Sequence, residues 1–217
     1  MSEAMIWMML QATGETIVMT FASGFFGFLI GLPAGVLLYV TRPGQILENA
    51  TLYRGLSAVI NVLRSIPFII LIVWIIPFTT IIVGTFIGLK AALVPLSIGA
   101  APFIARMVEN SLLEIPTGLI EAARAMGATP MQIVNKVLLP EALPGLINSA
   151  TITLITLLGY SAMAGAVGAG GLGQLGYQYG YVRYDATVMN TVLILLVILV
   201  YIIQFSGDRI VKSVTHK

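Results

Sequence analysis

Five side chains of segment 142–165 fall on one helical stripe: Ser149, Thr153, Thr156, Tyr160 and Met163, at i, i+4, i+7, i+11 and i+14. Hydroxyls, a phenol and a thioether with no base or metal beside them exchange hydrogen bonds and present soft apolar surface, but break no covalent bond. Lining a wet path, they would pass a zwitterion along. Against neighbouring helices they would satisfy carbonyls and let backbones close up. Spacing alone leaves both readings open.

A second constellation is EAARAMGATPMQIVNKVLLPEALP, from Glu121 to Pro144. Leu119, Ala122, Ala123 and Met126 recur at i, i+3, i+4 and i+7, one face of a short helix expected over 117–127. Thr117 is placed to cap it, Glu121 to favour the dipole of its first turn and pair with Arg124, and Gly127 to end it in the left-handed conformation. Thr129-Pro130-Met131-Gln132 has the pattern of a capping box that restarts a helix. A helix so short is marginal without packing. It either docks into a groove on a partner or lies on lipid headgroups.

Other chemistry is poorly provided for. There is no cysteine, and His216 is the single histidine, expected in a solvated tail. Gly168-Ala-Gly170-Gly-Leu-Gly173 matches G-x-G-x-x-G, but an apolar helix precedes it and the only acid nearby is Asp185. A dinucleotide site needs a strand before the glycines and an acid about 20 residues on. These glycines instead suit a tightly packed outer loop where two subunits or a binding protein approach. No G-x-x-x-x-G-K-[ST] loop is present to hold nucleotide phosphates. An enzyme would need ionisable groups clustered at one depth, and none are grouped in that way.

The elements that position these residues follow from composition. Of 217 residues, 58% are apolar and 9% charged, with mean hydropathy +0.99, so the fitting solvent is a bilayer. Net charge is +2 with scattered basic residues, which gives no nucleic-acid footprint. Charge-free runs predict an all-α membrane protein with five spans, near 15–41, 57–80, 88–108, 142–165 and 186–208, in a single domain 1–217. No basic residue precedes Arg42, so the first span is expected to remain rather than be cleaved as a signal.

Five spans put the termini on opposite sides. With the N-terminus outside, the inner segments hold Arg42, Arg54, Arg64, Arg106, Arg124, Lys136, Arg209, Lys212 and Lys217, and the outer ones only Lys90 and Arg183. That imbalance predicts N-terminus out, C-terminus in, and segment 117–127 cytoplasmic. The sequon Asn49-Ala-Thr51 then also lies inside and is disregarded. No carboxylate is expected at membrane depth, which argues against ion-coupled transport within this chain.

The identities in the cytoplasmic segment add to this. Glu121-Ala122-Ala123, Gly127, Val137, Leu139 and Pro140 resemble the signature of the inner-membrane permeases of ATP-binding-cassette importers: Glu-Ala-Ala, three residues, Gly, nine, Ile, one, Leu-Pro. Val137 in place of Ile is the one departure. Length, span count and the run AGAVGAGGLGQLGYQYGYVRYD extend the likeness to the methionine-importing members of that family.

The resemblance implies a type I importer permease fold, a homodimer in the bacterial inner membrane, and a coupling helix 117–127 seated in a cleft of each of two ATPase subunits. Leu119, Glu121, Ala122, Ala123, Arg124, Met126 and Gly127 would be its contact residues. ATP and Mg would be bound by that separate subunit, with no cofactor or metal in this chain. A lipid-anchored binding protein would deliver L-methionine, and D-methionine also, to the outer side. Five helices are too few to enclose an amino acid, so the path is expected between two copies, lined by the Ser149–Met163 stripe and gated near Met163. Another small amino acid, or an ATP-independent facilitator, is the alternative.

Overall fold

A computed structural model describes residues 3–215, so the expectations placed on His216 and Lys217 lie outside the described residues. The architecture is helical throughout. Helix α1 spans Glu3–Thr41 and is followed by α2 (Ala50–Ser65), α3 (Phe68–Trp74), α4 (Ile76–Val83) and α5 (Leu89–Leu113). Next come the short α6 (Thr117–Ala125), α7 (Pro130–Ile133), a π-helical stretch Val134–Leu138 and α8 (Leu139–Glu141). Then follow α9 (Leu143–Ala166), α10 (Gly171–Leu175), a π-helical stretch Gly176–Val182 and α11 (Ala186–Val214). Four of these helices are long and apolar enough to cross a bilayer, and α2 with α3 make a fifth candidate bent by 97°.

The expected spans meet helices of different extent. Helix α1 starts at Glu3 rather than at residue 15, because nothing before Pro33 breaks it. Its 39 residues reach about 58 Å at 1.5 Å per residue, well beyond a hydrocarbon core about 30 Å thick. The stretch expected as one span over 57–80 is broken twice. Pro67 sits in the bend between α2 and α3, and Pro77 opens α4 at its first turn. A proline donates no N–H and clashes with the preceding turn, so the continuous helix gives way at both. Asn49 caps α2, its side chain accepting from Leu52 N–H at 3.0 Å.

The centre of the subunit is the α1–α5 pair, brought together by Gly27, Gly31 and Gly35 at i, i+4 and i+8. A Cβ on Gly31 would lie 2.7 Å from both the Ala101 carbonyl oxygen and Ile104 Cβ, and one on Gly35 would lie 2.5 Å from the Ala105 carbonyl oxygen. Without hydrophobic drive between helices in lipid, such close backbone approach is what dispersion and packing require. Leu96, Ile104, Val108 and Leu112 of α5 are fully buried in the resulting core, which also takes in Leu157 of α9. Helix α11 is anchored by Asp185, whose side chain accepts from Thr187 and Val188 N–H. It turns Leu193, Ile194, Val197 and Tyr201 outward, as a lipid-facing helix does.

Candidate functional site

Helix α6 is fastened at its C-terminal end and along one edge. Gly127 adopts φ +80°, a left-handed conformation open to glycine without steric cost. Its N–H donates to the Arg124 carbonyl at 2.9 Å, and Ala128 N–H donates to the Ala123 carbonyl at 3.1 Å. This pair of bonds is the Schellman closure. Two residues later, Thr129 N–H donates to Gln132 Oε1 at 2.8 Å and Gln132 N–H to Thr129 Oγ1 at 3.4 Å, completing the capping box. The segment is thus two rigid pieces joined at one glycine turn.

The apolar face is divided differently from the sequence expectation. Ile120 and Ala123 turn inward and join the core that includes Leu112, Ile115, Ile133 and Leu138, leaving Ala123 4% exposed. Leu119, Ala122 and Met126 point outward at i, i+3 and i+7, with Met126 81% exposed. Ala123 therefore roots the helix in its own subunit. Ile120, absent from the expected stripe, is the second root. Thr117 is the first helical residue rather than the cap, which is Pro116, so Glu121 falls in the second turn. Glu121 and Arg124 are both exposed and form no ion pair with each other.

The stripe of α9 divides along its length. Ser149 is buried with its hydroxyl 3.0 Å from that of Ser111 on α5, and Thr153 is buried with its hydroxyl donating to the Ser149 carbonyl at 2.7 Å. The Ser149 hydroxyl thus ties α9 to α5, while the Thr153 bond stays within α9. Thr156 donates to the Ile152 carbonyl at 2.9 Å at the half-open margin. Tyr160 stacks on Phe68 of α3, and Met163 is 48% exposed. Thr156, Tyr160 and Met163 thus border an open face that also carries Ile152 and Gly159.

A third cluster escaped the sequence reading. Glu109 lies inside α5, one residue past the expected span end, and is 1% exposed. Arg106 Nη1 donates to its Oε2 at 2.6 Å, Tyr53 OH donates to its Oε1 at 3.2 Å, and Arg42 Nη1 is 3.9 Å from Oε1. Arg106 Nη2 also donates to Ser57 Oγ and Asn61 Oδ1, each at 2.8 Å. Glu109 thus lies outside the expected span 88–108 but within the longer helix α5, which runs to Leu113. The available signal was Arg106 and Glu109 at i, i+3, together with Tyr53, Ser57 and Asn61 at i, i+4 and i+8 on one edge of α2.

The glycine run 168–173 packs against its own subunit. Glu15 Oε2 accepts from Gly171 N–H at 2.8 Å, Thr16 Oγ1 from Leu172 N–H at 2.9 Å, and Gln174 Oε1 from Gly170 N–H at 2.8 Å. The donors that would cradle a phosphate are already taken by side chains. Among the described residues, no cluster of three or more His, Cys, Asp or Glu could hold a metal ion.

Comparison with known proteins agrees with this arrangement. The family described as binding-protein-dependent transport system inner membrane component matches residues 27–217. The chain is 78% identical, over the full length of both, to the D-methionine transport system permease protein MetI of Salmonella typhimurium. It is 77% identical, again end to end, to the protein of the same name in Escherichia coli K12. A solved structure of the MetNI methionine ABC transporter in an inward-facing conformation superposes with a TM-score of 0.99, at 77% identity and covering all of both chains. With the Glu-Ala-Ala signature on a short helix, an all-helical bundle and these relatives, the chain belongs to the binding-protein-dependent transport system inner membrane component family.

Proposed function

We propose that this chain is the membrane-spanning subunit of an ATP-driven methionine importer of the bacterial inner membrane, accepting L- and D-methionine. Two copies surround the path, and each seats α6 in an ATPase subunit that binds ATP and Mg. A binding lipoprotein supplies substrate from outside. The N-terminus is outside and the C-terminus inside, as the distribution of basic residues favours.

The observation that carries this reading is the build of α6. Ile120 and Ala123 tie it to the core, while Leu119, Ala122 and Met126 stand free on the neighbouring edge. A helix held this way transmits a push as a rigid body. Glu121, Arg124 and the Gly127 turn are exposed as well and complete the contact surface. Thr156, Tyr160 and Met163 border the path, with Met163 and its symmetry mate at the gate. Ser149 holds α9 against α5 behind it, and Thr153 lies buried one turn further along α9.

Reconstitution in vesicles tests the proposal. Methionine uptake is expected only when the ATPase subunit, ATP and binding protein are all present. Uphill uptake by this chain alone, or an intact complex in which Leu119 and Met126 have been made charged, would overturn it.

A further inference from the structure

The Glu109 cluster joins three helices by contacts far apart in sequence. Glu109 and Arg106 sit on α5, Tyr53, Ser57 and Asn61 on α2, and Arg42 just past the end of α1. A buried ionisable group in a membrane protein is costly unless paired, and its presence points to a role beyond filling space. The arrangement of the elements around it suggests which role. Toward the cytoplasmic segment, α5 ends at Leu113 and only Glu114–Pro116 separate it from α6. Toward the membrane, α2 passes through Ile66 and Pro67 into α3, whose first residue, Phe68, stacks on Tyr160 of α9 at 4.3 Å.

We propose that Glu109 is a positioning residue for transport: held by Arg106 and Tyr53, it locks α2 to α5, so that displacement of α6 moves α3 and with it the Phe68–Tyr160 stack. This role rests on the importer activity proposed above. Aliphatic contacts slide over one another, whereas a carboxylate held by two directed donors fixes both register and orientation. Along α2, Ile60 is the only buried residue, so apolar burial alone gives that helix a slender attachment. The polar lock supplies what the apolar contact lacks.

The test measures methionine uptake and ATP hydrolysis on the same reconstituted complex, each normalised to assembled complex. Glu109→Gln keeps the side-chain volume and removes the charge. The expected result is hydrolysis within about twofold of the unsubstituted complex and uptake per ATP lowered about tenfold, the size of an ordinary coupling between sites. Tyr53→Phe combined with Ser57→Ala and Asn61→Ala leaves Glu109 and Arg106 in place and cuts all three hydrogen bonds to α2; it is expected to lower uptake per ATP in the same direction. It also decides the matter should Glu109→Gln fail to assemble. An unchanged ratio overturns the positioning role, and so does a parallel fall of both rates, which is what lost stability alone produces. Failure of the unsubstituted complex to import methionine is a different result and removes the importer reading itself.

Discussion

Phe68 and Tyr160 stack with parallel rings, centroids 4.3 Å apart, joining the first residue of α3 to the C-terminal half of α9. The pair sits where the interrupted segment meets the helix that carries the polar stripe. Its ring surface, rather than the phenol oxygen, makes the contact. Tyr160→Phe is therefore expected to leave thermal stability in detergent unchanged, while Tyr160→Ala loses the stack, worth about 0.5–1.5 kcal/mol beyond the buried area. If Tyr160→Phe retains stability yet lowers uptake, the hydroxyl serves the path directly.

Accessibility to water-soluble thiol reagents separates the two halves of the stripe. The chain has no native cysteine, so single cysteines can be read without background. Cysteine at Thr156 or Met163 is expected to react in the assembled complex, and at Ser149 or Thr153 to be protected by burial. Protection at all four positions would remove the path from this face of α9.

The edges of α6 should respond to substitution in opposite ways. Met126→Asp and Leu119→Asp alter exposed side chains and are expected to leave the subunit's own stability within about 0.5 kcal/mol while abolishing co-purification of the ATPase. Ala123→Leu overpacks the core and is expected to destabilise the subunit itself by about 1–3 kcal/mol. Thermal unfolding of the purified permease distinguishes the cases. Gly127→Ala forces a Cβ into the left-handed region, at a cost of roughly 1–2 kcal/mol, and is expected to loosen the turn without touching either edge.

Glycines in α1 and α2 give a prediction of opposite sign for the same change. A Cβ on Gly35 meets the Ala105 carbonyl oxygen at 2.5 Å, so Gly35→Ala is expected to part α1 from α5 and cost about 1–3 kcal/mol. A Cβ on Gly55 meets nothing within 4 Å, and Gly55→Ala is expected to stabilise α2 by about 0.5–1 kcal/mol through reduced backbone freedom. Equal melting temperatures for the two variants would contradict the close-approach account.

Much of this protein is legible along the chain because the governing signals are local. Apolar runs without charge reveal α5, α9 and α11, since a bilayer demands continuous hydrophobic length. The Gly127 turn and the Thr129–Gln132 box follow from residues within four positions of each other, and the structure shows both. The spacing of Glu121, Ala122, Ala123, Gly127, Leu139 and Pro140 alone marks the family. Proline at 67 and 77 also announces interruption, though not an angle of 97°.

What the tertiary structure decided depends on residues that meet from afar. Whether Ala123 faces a partner or its own core turns on Ile120 finding Ile133 and Leu138, and helical periodicity cannot say which of two adjacent edges wins. Ser149 reads as a path residue until Ser111, 38 positions away, takes its hydroxyl. Glu109 reads as a charge just outside a span until Tyr53, 56 positions away, donates to it inside the bundle. Sequence spacing determines which side chains share a face, because a helix is a local structure. Only packing determines what that face meets, because contact partners are chosen by the whole chain minimising exposed polarity and empty space at once.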